Sequence, residues 1–408
     1  MSKSGSSYLS LGGDVRSYFT FVKNEKWGDA PVNQDAYLLS RILLHSDLHL
    51  TKGFRFFFQL QTAFSHGRND LMVTFPAEQN ELEVHQVFAD IPLLNKSASL
   101  ILRVGRQEMT FGSVRLVAAR EFPNARRAFD GARILFKHKS IHSSVFYTRP
   151  ILERKWAFDD KILAEGSNFW GIYNTFYNIP FLQNLDVYYL GLEKEKSIWN
   201  DAVGRELRSS IGTRIFGKAK NWTYDFEGIY QFGHIGDKII RGAWSISSNS
   251  TLLIAETKLQ PKLGLKTELI SGDVKSGDNI IQSLNPLFPN GGYFGLPAII
   301  GPVNLFDIHP SIKITPFNKI QLSMDYDFFW RLSENDGIYG AASNLIYQGT
   351  GSDKKFIGQQ LGLDINYDPN PFTNFLVNPV WFWPGSFIKE KGKGKNIFFL
   401  SVVGQIKF

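Results

Sequence analysis

The sequence predicts an all-β fold: a single transmembrane antiparallel β-barrel of about eighteen strands, with short periplasmic turns and long extracellular loops. Three observations predict it. Long segments alternate between apolar and polar residues, tight connections alternate with long polar ones, and the chain ends on an alternating run whose last residue is Phe408. These features are typical of bacterial outer-membrane barrels, whose strands face lipid on one side and a polar lumen on the other.

The clearest alternation runs from Asn318 to Leu332. Polar and charged residues occupy one face and apolar residues the other, except that Phe329 lies on the polar face. A helix would scatter these residues around its axis, so the segment is predicted to be a strand. It is longer than the roughly five or six residues of a common soluble strand and fits the ~9–11 residues of a tilted membrane strand.

The same reading along the chain gives the other strands. The candidates, in chain order, are 7–22, 36–50, 53–65, 81–91, 98–106, 128–138, 141–149, 167–177, 184–193, 206–217, 221–234, 239–255, 260–271, 304–315, 318–332, 355–368, 372–381 and 396–408. The pattern is weakest in 141–149, 239–255 and 372–381, so sixteen strands is an open alternative.

Connections between these strands mostly alternate in length. Thr51-Lys52 and Pro316-Phe317 are tight, whereas 66–80, 107–127 and 272–303 are long and polar. This alternation is expected of an even-stranded barrel with both termini in the periplasm. A barrel this wide encloses space, and we expect 107–127 and 272–303 to fold inward and narrow it.

The composition of the chain excludes several other classes of protein and site. The chain has no Cys, which excludes disulfide scaffolds and thiol chemistry, and its formal charge of +7 predicts attraction to anions if the basic groups share a surface. No run is apolar enough for a membrane helix. We expect one domain, a barrel over residues 1–408, in which 1–6 are an added or disordered start without a signal peptide, and a location in the cell outer membrane.

Three blocks of sequence carry a family resemblance. Leu102–Arg133 reads LRVGRQEMTFGSVRLVAAREFPNARRAFDGAR, and two further blocks are Ser271–Pro310 and Trp383–Glu390. In this order they resemble the signature segments of the alginate export family of outer-membrane proteins. The resemblance implies a monomeric eighteen-stranded barrel with an arginine-lined lumen that conducts an acidic polysaccharide outward. Carried over by position, the basic residues of the first block are Arg103, Arg106, Arg115, Arg120, Arg126, Arg127 and Arg133.

The residues themselves point to a charged path. Alternation places Arg16, Arg41 and Arg55 on inner faces, together with Lys266, Glu227, Glu268, Asp325, Asp327 and Arg331. The planar fork of arginine pairs bidentately with carboxylates, such as those of uronic acids, and rings of basic residues are a usual route to anion selectivity. The first block has more arginines than acids, so we expect the positive field there. The alternative is that the charges only brace one another. Tyr18 and Tyr188, also inner, could stack on sugars, although packing is the simpler role.

The functional prediction is therefore a channel for an acidic polysaccharide or other anionic solute. A general anion-preferring porin for small nutrients is the alternative, and a barrel enzyme or a loop-mediated adhesin is a further one. We predict no enzyme, no catalytic residue, no cofactor and no metal site, because His45 and His49 have no third ligand at motif spacing. Expected partners are outer-membrane lipid and lipopolysaccharide, the anionic solute and periplasmic export proteins, but no nucleic acid. Substrate, direction and gating are left open.

Overall fold

The structure is a computed structural model that describes residues 7–72, 77–95, 97–162 and 166–408. The expectation for residues 1–6 lies outside this range. Within it, eighteen long strands form one closed antiparallel sheet. In chain order they are β1 (Tyr8–Lys23), β2 (Gln34–His49), β3 (Arg55–His66), β4 (Asn80–Asn95), β5 (Ser99–Gln107), β6 (Phe129–His138), β7 (Ile141–Leu152), β8 (Asn168–Ile179), β9 (Gln183–Ile198), β10 (Val203–Ala219), β11 (Trp222–Ile235), β12 (Lys238–Leu253), β13 (Lys262–Ile270), β14 (Leu305–Phe317), β15 (Ile320–Trp330), β16 (Phe356–Asn370), β17 (Thr373–Pro384) and β18 (Ile397–Lys407).

Pairing between the first and last strands closes the barrel. Each strand pairs with its neighbours in sequence, and β1 pairs with both β2 and β18, where Val15 lies opposite Ile406. The strands predicted from the weakest patterns, β7, β12 and β17, are full members of the ladder. The predicted fold class is thus confirmed, and the number of strands is eighteen rather than sixteen.

The two ends of the barrel differ in the length of their connections. At the end that holds both chain termini, β6 joins β7 through Lys139-Ser140 and β14 joins β15 through Asn318-Lys319. The opposite end carries the long segments 108–128, 271–304 and 331–355, although 199–202 and 236–237 are short. Following the arrangement of outer-membrane barrels, we call these the turn end and the loop end.

The faces of the strands follow the predicted alternation. Outward-facing side chains such as Phe56, at 48% exposed, and Met324, at 45%, form the apolar surface that meets lipid. Phe329, the apolar residue on the inner face of β15, is fully buried and lies against Phe294 and Phe382. Its exception to the alternation is explained by an apolar core inside the barrel, which the loops supply.

Inner-face tyrosines belong to the same packed interior. Tyr18 meets Phe122 edge-on with ring centroids 5.8 Å apart. Tyr188 stacks on Tyr173 at 4.9 Å and donates a hydrogen bond of 2.7 Å to Glu227. Both rings are therefore engaged in packing.

A short helix, α1 (Ser386–Lys391), lies between β17 and β18 at the loop end and buries Phe387 and Ile388. Among the described residues, no helix combines the length and hydrophobicity needed to cross a bilayer.

Candidate functional site

The connection between β5 and β6, residues 108–128, lies inside the barrel, and we call it the crossing loop. Val117 and Ala125 in this loop have no exposed surface. Asn124 Nδ2 donates to the carbonyl oxygens of Ser40 on β2 and Phe64 on β3, at 3.0 and 3.1 Å. The two wall carbonyl groups are thus hydrogen-bonded by Asn124 instead of by water, and the loop is fixed to β2 and β3.

Three arginines converge on one carboxylate of this loop. Arg41 Nη2 lies 2.5 Å from Glu121 Oε1, and Arg16 Nη1 lies 3.7 Å from the same oxygen. Arg126 contacts the second carboxylate oxygen, Oε2. Arg16 and Arg41 also donate to the Glu121 carbonyl oxygen, at 2.6 and 3.2 Å. We call Arg16, Arg41 and Arg126 the arginine cradle.

The cradle arginines and Glu121 differ in their exposure to solvent. The side chains of Arg41 and Arg16 are 0% and 1% exposed, and that of Arg126 is 19% exposed, whereas the Glu121 side chain is 41% exposed. Burial raises the pKa of Glu121, but Arg41 and Arg126 outweigh it, so the pKa is lowered and the carboxylate is charged near neutral pH. The acid is thus the accessible member of the cluster.

A second acid of the crossing loop anchors Arg126. Glu108 lies 2.6 Å from Arg126 Nε and 2.7 Å from His85 Nε2 on β4. Burial alone would raise the pKa of Glu108, yet the hydrogen bonds from His85 and Arg126 prevail and lower it to about 2. Arg126 is therefore held in place by an acid other than Glu121.

The crossing loop reaches the opposite wall through Ser113 and Arg115. Ser113 Oγ donates 2.8 Å to Glu227 on β11, and Arg115 Nη2 lies 3.1 Å from Glu268 on β13. Arg115 Nε also donates to the Tyr293 hydroxyl at 2.9 Å. Because β11 lies nine strands from β2 in an eighteen-stranded barrel, the loop spans the lumen from wall to wall.

The segment 271–304, between β13 and β14, pairs with the crossing loop inside the lumen. Phe288 N donates to Leu116 O at 2.8 Å, and Ala118 N donates to Phe288 O at 2.9 Å. Asn290 N donates to Val114 O at 3.1 Å. The two inward segments predicted from the sequence therefore form a hydrogen-bonded partition across the barrel.

Cavities with basic residues lie on both sides of this partition. Toward the turn end, a cavity of 660 Å³ is lined by Lys218, Lys262 and Lys313, and one of 480 Å³ is lined by Lys313, His309 and Asp325. Lys313 borders both, so they lie next to each other along the lumen wall.

The cavity toward the loop end is smaller, at 300 Å³, and its lining includes Arg120, Arg127 and Lys194. Arg120 is ion-paired with Glu153 in the loop after β7. Burial, and then the nearby charge of Arg120, hold the pKa of Arg127 well below its usual value. Basic groups thus occur in cavities at both ends of the barrel interior.

Comparison with known proteins identifies the family. A family model described as alginate export matches residues 7–397, which is nearly the whole chain. The chain belongs to the alginate export family. It is accordingly a channel of the outer membrane rather than an enzyme.

Solved structures show the same fold at low sequence identity. OpdO of Pseudomonas aeruginosa has a TM-score of 0.65 and 11% identity, over 98% of this chain and 97% of that one. OccK2 (OpdF) in complex with glucuronate gives 0.64 and 9%, and OpdK with vanillate gives 0.65 and 10%, each over 98% of both chains and both from P. aeruginosa. A search of curated protein sequences finds no match.

In this alginate-export barrel, the predicted path residues fall into separate groups. The cradle joins Arg16 and Arg41 to Arg126 of the signature block. Arg55 and Arg103 form a second group on β3 and β5, where Arg55 Nε lies 2.7 Å from Asp47 and Arg103 Nε lies 2.7 Å from Asp90. Both arginines are paired with acids on the strands, in agreement with the alternative that the lumenal charges brace one another.

Arg133, on β6 opposite Arg103, has a different environment. Its Nε donates 2.6 Å to Ser144 Oγ, and its guanidinium lies 5.0 Å from the centre of the Phe111 ring. Within the described ranges, Arg127 and Arg133 alone among the signature-block arginines have no ion pair. The excess of arginine over acid in the block is thus largely matched by acids from elsewhere in the chain.

Arg106 does not lie on the lumen face that the family resemblance implied for it. It shares the outward face of β5 with Val104 and forms an ion pair of 2.9 Å with Asp130 on β6. The reason is the period of a strand: Arg103 and Arg106 are an odd number of residues apart and cannot face the same side. The family block was carried over by position and did not test this.

Arg331 and the two predicted acids also have specific partners. Arg331 is 1% exposed and donates to the carbonyl oxygens of Glu334, Ser352 and Asp336, at 2.7 to 2.9 Å, which fixes the loop 331–355. It therefore anchors backbone instead of lining a path. Asp325 and Asp327 both contact His309 on β14, apart from the arginines.

Reading the sequence did not reveal the partners of the acids that organise the site. Glu121, Glu227 and Glu268 hold the ends of the crossing loop, and Lys266 donates 2.6 Å to the Tyr293 carbonyl oxygen. Alternation placed Glu227, Glu268 and Lys266 on inner faces. Nothing in the sequence pattern indicated that a loop residue would be their partner.

Proposed function

We propose that this channel passes an acidic polysaccharide across the outer membrane, and that the arginine cradle is a binding point on its path. The observation that carries the proposal is the convergence of Arg16, Arg41 and Arg126 on the carboxylate of Glu121. That carboxylate stands where the carboxylate of a uronic acid residue would bind. Because it is the exposed member of the cluster, a passing carboxylate can replace it.

The cradle is prepared for such an exchange. When the Glu121 side chain moves aside, Arg126 retains its ion pair with Glu108 and Arg41 retains its ion pair with Asp14 at 3.5 Å. Arg16 retains its hydrogen bond to Asn124 Oδ1 at 3.2 Å. Guanidinium groups that are already oriented lose little freedom when they bind a new carboxylate. Exchange of one carboxylate for another also leaves no buried arginine without an acid, which would be costly.

Basic groups in separate cavities suit a polymer. Lysines lie on the turn side of the partition, the cradle lies at its wall, and Arg120 and Arg127 lie on the loop side. Several weak points of attraction allow a chain of carboxylates to enter and leave, whereas a single tight site would trap it. Positive groups in a low-dielectric wall also raise the local concentration of an anionic solute.

The comparisons support an anionic solute in general terms. The family is described as alginate export, and two of the similar P. aeruginosa structures were solved with glucuronate and with vanillate, which are both carboxylates. At 9% and 10% identity these structures support the fold alone, so the resemblance in ligand chemistry supplements the cradle geometry.

A general porin for small anions is the second candidate, and one observation favours it. The partition formed by the crossing loop and 271–304 divides the lumen into cavities of 300 to 660 Å³. Spaces of this size accept a single small carboxylate more readily than an extended chain. In this reading the cradle serves as a filter for small anions.

The length of the solute distinguishes the two candidate functions. The experiment records single-channel currents in planar bilayers while oligouronates of increasing length, or neutral oligosaccharides of equal length, are added. For a polysaccharide channel, we expect oligouronates to block the current increasingly well with length and neutral sugars to have little effect. Equal block by the monomer and longer oligomers would favour the small-anion porin, and no block by any uronate would contradict both.

A further inference from the structure

We infer that Asp307, His309 and Asp327, in the lumen wall of β14 and β15, bind a divalent transition-metal ion such as Zn²⁺. One ligand atom from each of the three side chains lies within 4.8 Å of the other two, and all three residues are buried. This inference concerns the wall of the barrel and does not depend on which solute the channel passes.

Asp307 is the strongest sign that a cation belongs here. Its side chain is fully buried, and neither carboxylate oxygen has a hydrogen-bond partner among the described residues. A buried carboxylate is normally paired, hydrogen-bonded or bound to a metal, because its charge is otherwise left without compensation. Asp307 has neither of the first two and points into a cluster with two other ligand side chains.

His309 is oriented as a metal-binding histidine is. Its Nε2 lies 3.0 Å from Asp325 Oδ1, and its Nδ1 is in contact with Asp327 Oδ1. When Nε2 donates its hydrogen to Asp325, the lone pair of Nδ1 faces the negative charge of Asp327, and a cation bound by both atoms, with the two side chains moved slightly apart, removes the repulsion. A carboxylate behind a ligating histidine is the usual arrangement at metal sites, where it fixes the ring and its tautomer.

The nearby basic residues have other partners. Lys266, opposite His309 on β13, donates its ammonium to the Tyr293 carbonyl oxygen at 2.6 Å. Glu268, opposite Asp307, is paired with Arg115 at 3.1 Å. No ion pair to Asp307 occurs in the described part of the chain, so these groups leave its charge to be met by another cation.

The ligand types select the class of metal. One imidazole nitrogen with two carboxylates suits Zn²⁺, Co²⁺ or Mn²⁺, whereas Ca²⁺ and Mg²⁺ prefer oxygen ligands throughout. Three protein ligands leave a coordination position for water, as in open zinc sites. Gln360 Nε2 donates 3.2 Å to Asp327 Oδ2, which leaves the other oxygen, Oδ1, for the ion.

An ion can reach the cluster from the lumen. The cavity of 480 Å³ on the turn side of the partition is lined by His309 and Asp325. Gln360, which holds Asp327, also donates 3.0 Å to the carbonyl oxygen of Phe294 in the segment 271–304. A bound ion would thus stiffen the wall against which this lumenal segment rests.

Metal content tests the inference on the full chain. The tag-free barrel, purified from outer membranes, is loaded with Zn²⁺ alone, freed of excess metal and analysed by mass spectrometry for zinc per chain. We expect about one zinc in the wild type and in the Asp364→Asn control, and a loss of at least roughly fivefold in Asp307→Asn and His309→Gln. Asp364 is a matched control because it is a lumenal acid in the same cavity that is not among the three ligands.

Folding and the identity of the ligands are checked separately. Heat-dependent gel mobility reports whether each variant is a folded barrel. If Asp307→Asn does not fold, Co²⁺ loaded into the wild type decides, because four- or five-coordinate ligation by nitrogen and carboxylate gives visible bands that are stronger and lie at longer wavelength than the weak band of free Co²⁺ in buffer. Zinc retained equally by folded Asp307→Asn, or no zinc and no cobalt bands in the wild type, would overturn the inference.

Discussion

Glu121 and Arg41 are eighty residues apart in the chain, yet Glu121 Oε1 lies 2.5 Å from Arg41 Nη2 inside the barrel. The arginine belongs to the wall and is fully buried, whereas the glutamate belongs to the crossing loop and is 41% exposed. A rigid cation therefore holds a replaceable anion. This contact relates the position of the loop to the chemistry of the solute, and the first prediction follows from it.

We predict that Glu121→Gln makes the channel bind uronates more tightly. Glutamine keeps the size of the side chain and can accept hydrogen bonds from the cradle, but it removes the internal carboxylate that competes with the solute. We expect the concentration of oligouronate that halves the current to fall by roughly tenfold, which corresponds to about 1.4 kcal/mol. Anion preference in a KCl gradient should rise as well.

Asp364→Asn is the matched control for this change. It also removes one negative charge from the lumen, but Asp364 bonds to Asn378 and Ser323, away from the cradle. An equal effect of the two substitutions would mean that lumen charge in general, and not the cradle, governs binding. Weaker binding in Glu121→Gln would contradict the exchange of carboxylates.

The partition should limit conductance. Replacing residues 112–119 by a short Gly-Ser linker removes Ser113, Arg115 and the hydrogen bonds to Phe288, so it detaches the crossing loop from the far wall. We expect single-channel conductance to rise several-fold. The same replacement at 274–277, which is exposed at the loop end, should leave conductance near the wild-type value. Unchanged conductance after the first replacement would show that the partition does not restrict the current.

The lipid-facing assignment predicts a depth-dependent cost. Met324 points outward near the middle of β15, and we expect Met324→Arg to destabilise the folded barrel by ~2–4 kcal/mol. Phe317→Arg, at the turn end, should cost only about 0–1 kcal/mol. Reversible folding into lipid vesicles in urea, followed by tryptophan fluorescence, measures both values. Similar costs at the two positions would contradict the placement of the bilayer.

Asp273 should make the segment 271–304 sensitive to pH. Burial, and then the nearby charge of Asp336, raise the pKa of Asp273 from 3.8 to about 7. An acid whose pKa is raised by folding stabilises the folded form fully below its unfolded pKa and loses that contribution as pH rises through its folded pKa. The segment should therefore loosen between about pH 4 and pH 7 and stay loosened above pH 7.

Limited proteolysis at Lys275 in vesicles tests this sign. The ratio of the cleavage rates of the wild type and Asp273→Asn cancels the pH dependence of the protease itself. We expect this ratio to rise between pH 5 and pH 8 for the wild type and equally for Asp353→Asn, because the Asp353 side chain is exposed and pairs with Lys354. A ratio that is flat or falls with pH would be inconsistent with a raised pKa at Asp273.

The sequence was sufficient to predict the wall of the barrel. A strand has a period of two, so a long alternating segment such as Asn318 to Leu332 indicates both the strand and its two faces. Lengths of connections then indicate which end carries the loops. The exception at Phe329 was visible in the sequence, and the structure explains it, since Phe329 packs against the apolar interior.

The interior could be predicted only in part. Alternation placed Arg16 and Arg41 inside, but Glu121 meets them from a loop whose path no periodic pattern specifies. Arg331 was placed inside as well, and its partners are backbone carbonyl oxygens that sequence does not reveal. Pairing across a lumen depends on tertiary structure between residues about a hundred positions apart, so charge partners need the fold.

The residues of the proposed metal site could have been grouped from the sequence. Asp307 and His309 are two residues apart on β14, and Asp325 and Asp327 are two residues apart on β15. Period two places each pair on one inner face, and antiparallel pairing of consecutive strands brings the pairs together. Helix-like and motif spacings of metal ligands do not describe ligands that lie on neighbouring strands.

Passage of the solute itself tests the central claim most directly. The purified barrel is reconstituted into liposomes loaded with a fluorescent oligouronate or with a neutral oligosaccharide of the same length, and release is followed after dilution. We predict that the oligouronate leaves faster than the neutral sugar through the wild-type channel and that high salt, which screens the arginines, reduces the difference. Release of the neutral sugar at an equal or higher rate, with no effect of salt, would contradict the proposal.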